Sequence, residues 1–161
     1  MNRQSTLFIL LTCFIMGLSC TQKIDYISEE KKVKSILENW MVDVENMNLE
    51  GVEKIFENNE LFMVWQTSNE ILRWEDYKQH LIDFFPNYKQ ISFPITKQII
   101  KLSRSGDVAW FFLIADYIGK KTDGTITSIK DMRVSGVLER INGKWLIVHF
   151  HSSFLPNEIE N

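Results

Sequence analysis

Hydrophobic residues recur at helical spacing early in the chain. Val33, Ile36, Leu37, Trp40, Val44 and Met47 form one apolar stripe in an otherwise polar segment. The spacing predicts a long helix over about 28–47, with Ser28 as its N-cap and Glu29 and Glu30 near the positive end of its dipole. Asn48 reads as a second cap, before a short helix carrying Leu49, Val52, Ile55 and Phe56. Asn58-Asn59 breaks that pattern, and Leu61 to Thr67 reads as a strand. A third helix follows over about 74–85, with Trp74, Tyr77, Leu81 and Phe84 on one side, and Pro86 stops it.

The remainder is strand-like. Gln90 to Leu102 is extended, and Pro94 within it predicts an edge position or a bulge. Val108 to Ile118 is almost continuously apolar, the pattern of a central strand covered on both faces. Thr125 to Ile141 and Lys144 to Phe154 are two long strands joined by Asn142-Gly143, a strong hairpin signal because both residues tolerate positive φ. Helices first and antiparallel strands afterwards predict an α+β domain, with helices packed on one face of a curved sheet.

The N-terminus has a different pattern. A short polar start with Arg3 precedes a largely apolar run from Leu7 to Leu18, too short for a comfortable membrane span but suited to a signal peptide. The run ends in Gly17-Leu18-Ser19-Cys20, small residues before a cysteine, similar to a bacterial lipobox although leucine stands one place late. The expectation is a signal peptide over 1–19, a lipidated Cys20 with a tether over 20–27, a domain over 28–156 and a tail over 157–161. The product would be an exported lipoprotein, on the periplasmic or cell-surface side, that meets the membrane only through its lipid.

With Cys13 in the signal and Cys20 lipidated, the domain keeps no cysteine for a disulfide, a thiol nucleophile or a thiolate metal site. The formal net charge of −3 and the lack of any long Lys/Arg run argue against nucleic acid as a partner. No cofactor signature is visible, and the histidines lack a third ligand at metal-binding spacing.

Several stretches of the second half carry a likeness: Gly106-Asp107-Val108-Ala109-Trp110, Tyr117-Ile118, Asp123-Gly124, Met132-Arg133-Val134, and Gly143-Lys144-Trp145 running on to His149-Phe150-His151-Ser152-Ser153. Together they resemble the nuclear transport factor 2-like, or SnoaL-like, superfamily, in the branch of the calcium/calmodulin-dependent protein kinase II association domain. The resemblance implies a cone-shaped α+β fold, in which a curved antiparallel sheet wraps around the long first helix and a pocket opens at one end. It also implies dimers or larger rings through the outer sheet face. It does not imply one chemistry, because the superfamily hosts enzymes, adaptors and hubs. The chain departs from the kinase hub in having no arginine over Phe111 to Ala115, and Met132 where the hub has threonine.

Candidate ligand-binding residues follow. Arg133 sits among apolar neighbours, and the resemblance points it into the pocket, where a guanidinium would pair with a carboxylate. The alternative is an ion pair that holds the sheet. His149 and His151 share a strand face and are candidate acid–base or hydrogen-bonding groups, or else interface residues. Pairing across Asn142-Gly143 sets His151 opposite Val134 and leaves Arg133 on the other face, unless a bulge intervenes. Asp116 ends the apolar strand and is a candidate base or a simple solvent-facing carboxylate. Trp65 and Tyr117 are candidate pocket walls. The leading expectation is a non-catalytic domain that binds a small acidic molecule in an aromatic-walled pocket and self-associates as a dimer or larger. The rivals are an enzyme of the polyketide-cyclase or ketosteroid-isomerase type with His or Asp as base, and a pure oligomerisation module.

Overall fold

The computed structural model describes residues 24–56, 73–154 and the backbone of 63–66, 69–71 and 159–160. Cys20, the apolar leader and the tether up to residue 23 lie outside the described residues.

The long helix forms as predicted and spans Tyr26–Glu45 (α1). Its cap is Asp25, not Ser28: the Asp25 carboxylate accepts the Ser28 backbone N–H at 3.1 Å, so the helix begins earlier than the serine suggested. Asn48 caps the second helix, Leu49–Glu53 (α2), by accepting from Gly51 N. The third helix is Trp74–Phe84 (α3), and a single 3-10 turn over Phe85–Asn87 carries Pro86.

Two short strands, Met63–Gln66 (β1) and Asn69–Ile71 (β2), lie between the second and third helices. The extended stretch around Pro94 is two strands, Tyr88–Ser92 (β3) and Ile95–Leu102 (β4). Both pair with Val108–Lys121 (β5), β3 along its C-terminal half and β4 along its N-terminal half, so the proline sits where one partner replaces the other. Ile126–Ile141 (β6) and Lys144–Ser153 (β7) complete the hairpin, and Asn142 and Gly143 both have positive φ, 51° and 81°. Ile159–Glu160 (β8) pairs with β6 beyond the end of β7. The sheet order is β2-β1-β7-β6-β5-β3. Pairing is antiparallel except between β1 and β7, which run parallel.

This sheet curls strongly around α1. Val33, Leu37, Trp40, Met41 and Val44 of α1 are buried against Phe111, Leu113, Leu138, Ile147 and Phe150 of the sheet. Burying each such side chain contributes about 1.5–3 kcal/mol, which is why the stripe on α1 decides its placement. At the far end Trp145 Nε1 donates to Glu29 at 2.7 Å, tying the β6–β7 hairpin to the first turn of α1.

Two irregularities set which side chains face inward. One extra residue, Val148, sits on β7 between the pairs Leu138↔Ile147 and Val137↔His149. The predicted register therefore holds from the turn to Leu138↔Ile147 and then slips by one. The second bulge sets Asp116 of β5 against Lys130 and Asp131 of β6, and Asp131 takes φ 50°. The expectation that β5 is covered on both faces is corrected: Trp110 is 48% exposed on its outer side.

Candidate functional site

A cavity of 460 Å³ opens between α1, α3 and the inner face of the sheet. Its α1 wall is Trp40, Met41 and Val44, and its α3 wall is Tyr77, His80, Leu81 and Phe84. These sets repeat at helical spacing, so each helix turns one stripe to the cavity. The sheet supplies Val134, Phe150, Met132 and Ser152 at one end, and Tyr117, Ile129, Tyr88, Lys121 and Thr127 at the more polar end. Phe93 is held at the rim by Glu45, the last residue of α1, which accepts both the Phe93 N–H and the Ser92 hydroxyl.

The polar end follows from strand alternation. Tyr117, Gly119 and Lys121 are successive inward positions on β5. Tyr88 pairs with Lys121 from β3, and Thr127 pairs with Gly119 from β6. The Tyr117 ring leans along the strand, and a Cβ at Gly119 would collide with the Tyr117 hydroxyl and come within 2.7 Å of the Tyr88 ring. Tyr117 is 7% exposed, and its hydroxyl is sealed from solvent beside the Tyr88 phenol. Burial, and after it the Tyr88 phenol alongside, pushes the Tyr117 phenol above its ordinary range. Trp40 Nε1 is likewise buried in the cavity wall, beside the Tyr77 phenol. Lys121 makes no salt bridge among the described residues, and no described residue lining the cavity is a carboxylate.

His80 stacks on Tyr77 and Phe84, with ring centroids 6.4 and 5.8 Å away. Burial lowers its pKa, with Asp83 opposing, so the neutral imidazole is favoured. His80 was not among the candidate pocket residues. The signal was present, because His80 stands three residues after Tyr77 and four before Phe84, on the cavity edge of the same helical stripe.

Of the predicted site residues, Tyr117 lines the cavity. Arg133, His149 and His151, named as candidate ligand-binding residues with their facing left open, are not among the residues that line it. Met132 and Val134 point inward, so Arg133 between them points outward; Phe150 and Ser152 do the same for the two histidines. The bulge at Val148 sets Arg133 opposite Ser153, His151 opposite Ser135 and His149 opposite Val137, all on the outer face. Without that extra residue the histidines would point inward. Asp116 is also outside the cavity. It accepts from Lys130 Nζ at 2.8 Å and from the Asp131 N–H at 3.1 Å. Those hydrogen bonds, the Lys130 one first, lower its pKa, the reverse of a raised-pKa base. Trp65 lies on β1 opposite His151, and its side chain is outside the described residues.

The SnoaL-like domain family matches residues 33–157. The chain belongs to that family. Solved structures agree with a SnoaL-like fold. A nuclear transport factor 2-like superfamily protein from Salmonella enterica serovar Typhimurium superposes with a TM-score of 0.72 at 14% identity, covering 79% of this chain and 91% of that one. A hexachlorocyclohexane dehydrochlorinase of type 3 from Novosphingobium barchaimii gives 0.68 at 9% identity, with 80% and 87% covered. A protein from Xanthomonas campestris, provisionally assigned as a calcium/calmodulin-dependent protein kinase II association domain, gives 0.65 at 19% identity, with 77% and 86% covered. These identities establish the nuclear transport factor 2-like cone and nothing about chemistry. No match to the chain was found among curated proteins.

Proposed function

We propose that this SnoaL-like domain holds a small planar organic acid without converting it. The carrying observation is the cavity itself: its walls are aromatic, its charged side chain is Lys121, and no described lining residue is a carboxylate. Apolar walls supply affinity through burial, and the ammonium selects an anion over a neutral analogue. The volume falls within the usual range for small-ligand sites, about 300–1,000 Å³. Arg133, on the outer face, is not part of this reading.

The full chain in detergent should bind naphthalene-2-carboxylate in calorimetry, and Lys121→Met should weaken that binding more than tenfold. The basis is the loss of a charge-assisted contact, worth about 2–5 kcal/mol where desolvated. Arg133→Leu should leave it unchanged. Equal affinity of the wild type and Lys121→Met would overturn the assignment.

A proton-transfer enzyme is the second reading, favoured by the neutral His80 imidazole in the cavity wall. The same preparation separates the two. 2-Tetralone in deuterated water should gain no deuterium beyond the buffer control, and exchange that disappears in His80→Phe would put the enzyme reading in place of the binding one.

The address is part of the proposal. Export and lipidation of Cys20 rest on the Leu7 to Leu18 core and the small residues before the cysteine. Attachment without a spanning helix needs lipid. Intact mass should show a chain beginning at residue 20 with a diacylglycerol adduct; an unmodified Cys20 would overturn it.

A further inference from the structure

We propose that the entry of α1 is clamped so that the end of the cone remote from the cavity faces the membrane, and the cavity opens to water. This rests on the lipid at Cys20 and on the cavity as a ligand site, and it names the source of the ligand: a solute, not a molecule held in the bilayer.

The chain enters the domain without a free joint. The Ile24 side chain lies against Gly106, where an added Cβ would come within 2.8 Å of it, and Gly106 takes φ 71° in the turn between β4 and β5. The Tyr26 hydroxyl donates to the Arg104 carbonyl of the same turn at 2.8 Å. Asp25, between them, accepts the Ser28 N–H through its carboxylate and the Glu29 N–H through its carbonyl, and so fixes the first turn of α1. Glu29 in turn holds Trp145 from the β6–β7 hairpin. The start of α1 and two turns of the sheet thus meet at one end of the domain, and the chain towards Cys20 leaves from that end.

The cavity lies at the other end. Its first wall on α1 is Trp40, which stands about 21 Å along the helix from Tyr26 at 1.5 Å per residue. Its half-exposed Lys121 and Thr127 flank the β5–β6 turn, whereas β5 begins at Val108, beside the clamp. From Cys20 to Ile24 the chain can reach at most about 14 Å even when fully extended. A tether shorter than the distance to the cavity cannot let the domain turn over and press its mouth on the bilayer. A ligand with an acyl chain would have to leave the bilayer to reach that mouth, exposing apolar surface to water. A dissolved acid meets no such barrier.

The lipid-carrying chain, bound to the outer leaflet of vesicles, tests this with a bimane label. Once the leader with Cys13 is removed and Cys20 is acylated, an introduced cysteine is the only free thiol. Arg104→Cys and Lys144→Cys mark the clamped end and Thr122→Cys marks the mouth; all three positions are exposed. A phospholipid with a nitroxide headgroup should quench the first two labels about threefold or more beyond the third, given the difference in reach. Equal quenching, or stronger quenching at position 122, overturns the orientation. Insertion of about twelve Gly/Ser residues after Gln22 should bring the ratio towards one, because the tether then spans the domain. A ratio that does not change overturns the part given to the tether. A phospholipid whose headgroup carries the naphthoate with its carboxylate free should not displace naphthalene-2-carboxylate from the protein in the same vesicles, and displacement overturns the water-side source. Naphthalene-2-carboxylate that fails to bind overturns the ligand reading alone, because the labels decide the orientation without a ligand. An unmodified Cys20 in the intact mass overturns the anchor, and this inference with it.

Discussion

Trp40→Ala is expected to lower the melting temperature by about 10–20 °C. Trp40 is 3% exposed at the centre of the aromatic core. Its ring packs edge-on against Phe56 at 5.5 Å, Phe150 at 4.9 Å and Phe111 at 6.4 Å. Removing a buried tryptophan forfeits its transfer free energy and leaves a void that rigid neighbours fill poorly, about 3–5 kcal/mol in all. In a domain of this size each kcal/mol moves the midpoint by about 2–8 °C, with larger domains at the lower end. The void would also join the existing cavity, because Trp40 is one of its walls. Calorimetric unfolding of the full chain checks this. A loss below about 1 kcal/mol would mean that α1 packs more loosely than the buried stripe implies.

Trp110→Glu is expected to turn a dimer into a monomer. We propose that the outer face of β4 and β5 is covered by a second copy. Ile99 and Trp110 are 44% and 48% exposed there. By strand alternation Phe112, Ile114 and Val137 share that face, and pairing places Ile99 beside Phe112 and Trp110 beside Val137. Contiguous exposed apolar patches of this kind mark interfaces, and a central tryptophan commonly carries about 2 kcal/mol or more of the association. A buried glutamate at each copy of position 110 adds unpaired charge to that loss. Light scattering of the full chain should give a micelle-bound dimer for the wild type and a monomer for Trp110→Glu, a loss of affinity of thirtyfold or more. A monomeric wild type at micromolar concentration sinks the proposal. Strict alternation along the closing strand would put Trp145 and Ile147 on one face and Leu146, Val148 and Phe150 on the other. The bulge at Val148 instead turns Trp145, Ile147 and Phe150 all inward. Arg133, His149 and His151 lie on the outer sheet face as well.

The sequence by itself determined what depends on neighbours within a few residues. The stripe from Val33 to Val44 made α1, Tyr77 to Phe84 made the cavity-facing side of α3, and Asn142-Gly143 made the turn that starts the final hairpin. Signals of that kind survive folding because helix period and turn geometry are local. The motifs from Gly106 to Ser153 also carried the family, and with it the cone. Only the tertiary structure decided sidedness. Strand side chains alternate with period two, so one inserted residue reverses every face beyond it. The bulge at Val148 moved His149 and His151 to the outer face beside Arg133, and the bulge at Asp116 gave that carboxylate to Lys130 and the Asp131 backbone. The Val148 bulge has no turn residue or charge that announces it, whereas the Asp116 bulge falls at Lys130-Asp131, a charged pair whose aspartate accepts φ 50°. Tyr117 was a candidate wall and His80 stood on the α3 stripe, but their joining with Lys121 in one cavity was out of reach of pattern. His80, Tyr117 and Lys121 meet there because a sheet whose paired strands are distant in sequence curls over α1, and such long-range closure is set by the packing of the whole core rather than by any local run of residues.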